Sequence, residues 1–154
     1  MYRGIARGGR NVLFGFVLGL AALGMSSCGP SGPKLVPVQG KVNLTDGTLI
    51  TYGHVVLYPD TSKGNNSKDI SQGTIRDGSY SIQTGAKQGA PLGAYKVGIE
   101  AAKEVDPNNP YFTEWLADEK YVDPNRSGLT MEVVENPEPN RYDFKLTPHA
   151  PQKK

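Results

Sequence analysis

The chain has 154 residues, with 17 basic and 15 acidic side chains, 19 glycines, 12 prolines and one cysteine. So even a charge balance leaves no basic stripe of the kind that tracks nucleic acid, and a single cysteine excludes an internal disulfide or a cysteine-built metal site. Abundant Gly and Pro with sparse helix signals favour short strands joined by turns.

Arg3, Arg7 and Arg10 open the chain with no acidic residue among them, and Val12 to Leu23 follow as an apolar run, VLFGFVLGLAAL. A basic start, a short apolar stretch and small residues at a cut site describe a secretory signal peptide over 1–27. The run is shorter than the roughly 20 residues that span a bilayer. Met25-Ser26-Ser27-Cys28 then resembles a bacterial lipobox, with Met25 where Leu is usual. The resemblance implies cleavage before Cys28 and a diacylglycerol on its sulfur, with further acyl chains such as palmitate. It therefore implies a membrane partner through the lipid anchor on Cys28. Gly29 is not the Asp that commonly signals inner-membrane retention, so the expected location is the outer membrane or the periplasmic face of the envelope.

Without residues 1–27, 127 residues remain, enough for one domain with its own core. Removing the three leader arginines leaves 14 basic against 15 acidic side chains, about −1 by simple counting. Residues 28–35 comprise the lipidated Cys and a flexible tether, in which Gly29 to Lys34 bury little apolar area. The domain is expected over 36–147, with a disordered tail at 148–154.

Seven runs then alternate with period two. Val36, Val38, Gly40, Val42 and Leu44 share one face of the first, opposite Pro37, Gln39, Lys41 and Asn43, and Thr45-Asp46-Gly47 ends it in a turn. His54 to Tyr58 is the second, stopped by Pro59. Ile70 to Arg76 is the third, and Asp77-Gly78 turns it into the fourth, Ser79 to Thr84, with Tyr80 and Ile82 inward. A Gly-rich connection over 85–93 leads to the fifth, where Tyr95, Val97, Ile99 and Ala101 share a face. Leu129, Met131 and Val133 mark the sixth. Tyr142, Phe144 and Leu146 mark the seventh, between polar Arg141, Asp143 and Lys145. Strands with one apolar and one polar face predict an all-β fold, a seven-stranded antiparallel β-sandwich, although a barrel would satisfy the same alternation. Burial of aromatics such as Tyr95 and Phe144 should stabilise it by about 2 kcal/mol each.

Three groups of residues carry a family resemblance. Val38-Gln-Gly-Lys-Val42, Asp46-Gly47 and Val55 to Pro59 resemble the opening of transthyretin-like, carboxypeptidase regulatory-like domains. Gly73 to Tyr80 is similar to their central hairpin, and Gly93 to Val97 to the strand after it. Lys120-Tyr121, Ser127 to Thr130 and Tyr142 to Leu146 are similar to small bacterial lipoproteins built from this domain. The resemblance implies a seven-stranded prealbumin-like sandwich and does not imply peptidase activity, because in such carboxypeptidases the domain is accessory to a zinc domain. No HExxH or HxxE pair is present, and His54 and His149 are far apart. Transthyretin-related hydrolases of hydroxyisourate end in Tyr-Arg-Gly-Ser; here Tyr2-Arg3-Gly4 lies in the leader without the Ser, and Leu146-Thr-Pro-His149 does not match.

Residues 102–128 interrupt the strand rhythm with an excursion rich in aromatics. Thr113 and Glu114 predict the start of one helical turn. Tyr111, Phe112, Trp115 and Tyr121 form either a contact surface for a glycan or partner protein, or a lid over the sandwich. Asp60, Asn65, Asn66 and Asp69 are oxygen donors, but their spacing fits no EF-hand and suits plain turns, so no metal and no cofactor is expected. No Ser, Thr or Asp shows a catalytic partner. The expected function is therefore non-catalytic: an envelope lipoprotein presenting a sandwich domain to an unidentified envelope protein or glycan. The alternative is a binder of a small molecule or glycan through 102–128, and a hydrolase is third.

Overall fold

Apolar–polar alternation gives a strand one face to bury and one to hydrate, and that pattern governs the fold. The computed structural model describes residues 32–103 and 114–150. The leader, Cys28, Tyr111, Phe112 and residues 151–154 of the tail lie outside the described residues. The strands are β1 (Leu35–Val36), β2 (Gln39–Leu44), β3 (Tyr52–Pro59), β4 (Ser71–Arg76), β5 (Ser79–Ser81), β6 (Gln83–Thr84), β7 (Lys87–Gln88), β8 (Ala90–Pro91), β9 (Gly93–Ala102), β10 (Thr130–Val133) and β11 (Phe144–Leu146). The fold is all-β. The only helical pieces among the described residues are two 3₁₀ turns, Thr61–Lys63 and Glu119–Tyr121.

Each predicted run contains strand, but some are subdivided or shortened, and Tyr142 of the last lies in a turn before β11. The first breaks at Pro37, which has no N–H for a ladder. β1 then pairs with β8, and β2 pairs with β5. The fourth breaks at Ile82, whose N–H turns away to the Val38 carbonyl at 2.9 Å. The connection over 85–93 is more regular than expected. Gly85, at φ +59°, closes a tight hairpin between β6 and β7. The Asp77-Gly78 turn has positive φ at both residues, 48° and 71°, as a two-residue hairpin of this hand requires.

The main sheet runs β10-β9-β3-β4-β5-β2-β11, with β6 and β7 branching from β4. It curls so that both ends of the path face one interior, giving a sandwich-like layer arrangement. Val55 and Leu57 of β3, Ile75 of β4, and Tyr95, Val97 and Ile99 of β9 share one core cluster with Val42 and Leu44 of β2, Tyr80 of β5 and Leu146 of β11. Among the described residues every strand pairing is antiparallel except one: β11 runs parallel to β2, with Phe144 opposite Val42 and Leu146 opposite Leu44. This departs from the purely antiparallel expectation. The chain leaves β10 at one end of the path and crosses to the other, arriving in the direction of β2.

A knot of sequence-distant contacts holds that crossing. The Tyr80 hydroxyl donates to the Tyr142 carbonyl at 2.5 Å, and the Lys41 N–H donates to Asp143 at 2.8 Å. Tyr80 stacks on Phe144 with centroids 6.4 Å apart. The Val134 N–H donates to the Tyr142 hydroxyl at 3.1 Å, which ties the crossing back to the end of β10. Gly40 is required here, since a Cβ on it would lie 2.4 Å from the Tyr142 carbonyl oxygen. Gly73 has the same role, because its Cβ would lie 2.3 Å from the Ser81 carbonyl oxygen.

Candidate functional site

The described part of the 102–128 excursion folds back onto the sandwich. No helical turn opens at Glu114. The segment from Glu114 to Ala117 is extended and continues the sheet beyond β9: the Lys103 N–H donates to the Glu114 carbonyl at 2.9 Å, and the Leu116 N–H to the Ala101 carbonyl at 2.9 Å. Trp115, partly buried, bridges to Ala102. The helical turn comes one step later, at Glu119–Tyr121, where Asp118 accepts from the Lys120 N–H as its cap.

Tyr121 is buried, and its hydroxyl accepts from the Thr147 N–H and pairs with the Thr147 hydroxyl, both at 3.2 Å. The chain then crosses the outer face of β9 at Gly98, where a Cβ would lie 2.8 Å from the Val122 carbonyl oxygen. Ser127 donates to the Val97 carbonyl at 2.7 Å and fixes the crossing. Of the four aromatics predicted as a contact surface, Tyr121 is thus committed to the core and Trp115 to an edge. The order also continues past 147: Pro148 bridges to Ala117, and the His149 N–H donates to the Leu116 carbonyl at 2.8 Å.

The loop with Asp60, Asn65, Asn66 and Asp69 engages its two buried side chains, Asp60 and Asn65, in hydrogen bonds to the loop itself and to β9. Asp60 accepts from the Ser62 hydroxyl at 2.6 Å and from the Ser62 N–H at 3.1 Å. The hydroxyl bond, against the opposing effect of burial, holds the Asp60 carboxyl below the usual carboxylate range. Asn65 donates to the Ala94 carbonyl and accepts from the Ser67 N–H. Among the described residues no three His, Cys, Asp or Glu side chains converge in a group that could hold a metal ion. Other buried polar groups are spent the same way. Tyr95 donates to the Pro91 carbonyl at 2.8 Å, and burial pushes its phenol up.

Two concavities are relevant to binding. A recess of about 600 Å³ sits at the root of the tether, lined by residues that include Pro33, Lys68, Pro91 and the exposed Leu92. A second cleft, of about 380 Å³, opens on the outer face of the sheet and is lined by His54, Gln72, Gly73, Thr74, Ser81 and Gln83. Its side chains come from the polar positions of β3, β4, β5 and β6. Cross-strand register brings them together: His54 lies opposite Thr74 on one side and Glu100 on the other, while Gln72, Gln83 and Gln88 are successive neighbours. His54 Nε2 is 3.0 Å from the Tyr52 hydroxyl, with the rings edge to face.

Sequence inspection passed over this cleft because each residue reads singly as a solvated strand position. A signal was nevertheless present. Gln72, Thr74, Ser79, Ser81 and Gln83, outward on the third and fourth runs, are neutral amides and hydroxyls, although Arg76 at the end of the third run is charged, whereas Phe144 is flanked by Asp143 and Lys145. Compared with known protein families, curated proteins and solved structures, the chain matches none.

Proposed function

We propose that this chain is a non-catalytic, lipid-anchored protein of a bacterial cell envelope, whose transthyretin-like domain presents a surface to an envelope partner. The observation that carries this reading is the short stretch of chain between the lipobox-like Met25–Cys28 and the first fixed backbone. β1 begins at Leu35, seven residues after Cys28, and is pinned by its ladder with β8. A chain of that length reaches at most about 25 Å. An acylated Cys28 would therefore hold the sandwich against the membrane surface. One acyl chain binds only marginally, but two or three, as on a mature lipoprotein, anchor stably. The non-catalytic assignment is supported by Asp60, Tyr80, Tyr95 and Tyr121, whose polar atoms are engaged in structural hydrogen bonds.

Expression of the full chain in a bacterium with lipoprotein maturation, beside Cys28→Ser, tests the anchor. An intact mass from the membrane fraction should show a chain that starts at Cys28 and carries acyl mass, lost in the variant. An unacylated mature chain would overturn the anchor.

A further inference from the structure

We propose that the outer cleft over β3–β6 is a binding site for a neutral, hydroxyl-rich ligand, a short stretch of saccharide. The inference does not depend on the anchor, since the site lies wholly within residues 54–83. The volume, about 380 Å³, falls within the range of small-molecule sites. None of the six lining residues carries a carboxylate, ammonium or guanidinium group. An anionic ligand would therefore lose its hydration without gaining a fixed counter-charge, and Glu100, opposite His54, would repel it. An apolar ligand would strand the Gln72 and Gln83 amides without hydrogen bonds.

A saccharide meets neither penalty. Each Gln amide presents both donors and an acceptor, and each Ser or Thr hydroxyl does both, so all match ligand hydroxyls in either sense. Neighbouring strands are about 4.8 Å apart, which spaces Gln72 from Gln83 on the scale of one sugar ring. His54 is oriented by Tyr52 at Nε2, and among the described residues its Nδ1 has no partner and is available to a hydroxyl. A peptide bound by strand addition is disfavoured, because β3 and β4 are paired on both sides and offer no backbone edge.

The test is the labelled full chain on an array of neutral linear and branched oligosaccharides, followed by titration of the strongest hit. Gln72→Ala and His54→Ala should each weaken that binding by about tenfold, as expected for a lost hydrogen bond. Both should leave Tm unchanged, since neither side chain enters the core. Lys145→Ala, on the outward face of β11, should bind as the parent does. The proposal is overturned by an array without hits, by hits insensitive to both cleft substitutions, or by a neutral Gly/Ser peptide that competes where saccharides do not.

Discussion

Replacing Tyr80 with Phe isolates the bond that closes the C-terminal crossing. The ring and its stack on Phe144 are kept, so no cavity is created; only the hydroxyl that donates to the Tyr142 carbonyl is lost. Tyr80 is 4% exposed, so water cannot readily replace it at that carbonyl. Leaving a buried acceptor unsatisfied costs about 1–3 kcal/mol. For a domain of this size each kcal/mol moves Tm by about 4 °C, so the expected fall is about 4–12 °C. Gly40→Ala attacks the same carbonyl from the other side and should cost about 1–3 kcal/mol by overpacking. Because both act on the Tyr142 carbonyl, the double variant should lose less than the sum of the two. Calorimetric melting of the full chain reads all three. A Tyr80→Phe variant that melts within about 1 °C of the parent would refute the closure by this bond.

The same residue predicts an alkaline limit. Burial, with a smaller contribution from Asp143, pushes the Tyr80 phenol up, so the folded state favours the neutral form. That stability is fully present below the unfolded phenol pKa of about 10 and is lost as pH rises from there toward the folded value, by about 1.4 kcal/mol per pH unit. Denaturant melts between pH 9 and 11 should show the decline, shallower in Tyr80→Phe; equal slopes would exclude Tyr80 as the titrating group. Trp115→Ala should lower stability by about 2 kcal/mol, roughly half the cost of truncating a fully buried Trp, because Trp115 bridges the edge at Ala102. An unchanged melt with lost partner binding would instead make the segment a contact surface.

Much of the fold was legible because its signals are local. Period-two alternation placed Tyr80, Tyr95, Val97, Met131 and Phe144 in the core before any coordinates, and Asp77-Gly78 announced its turn. The departure at Glu114 is also local in origin; Thr113 lies outside the described residues. The expected helical turn yielded to ladder bonds from Lys103 and Leu116, which extend the sheet. A weak capping preference loses to satisfied backbone groups at a sheet edge. Asp118 caps the turn instead, its side chain accepting from the Lys120 N–H while its own N–H donates to the Thr147 carbonyl.

The amino-acid sequence alone determined which residues turn inward, where the chain reverses and that the architecture is all-β. Those properties depend on neighbours a few positions apart. Tertiary structure alone decided that β11 lies parallel to β2, that Gly40 and Gly73 need bare Cα atoms, and that Tyr121 belongs to the core. It alone assembled His54, Gln72, Thr74, Ser81 and Gln83 into one cleft. These depend on contacts such as Tyr80 with Tyr142, which are 62 positions apart. Turn type and alternation set register within a hairpin, but no local pattern encodes which distant strand β11 joins.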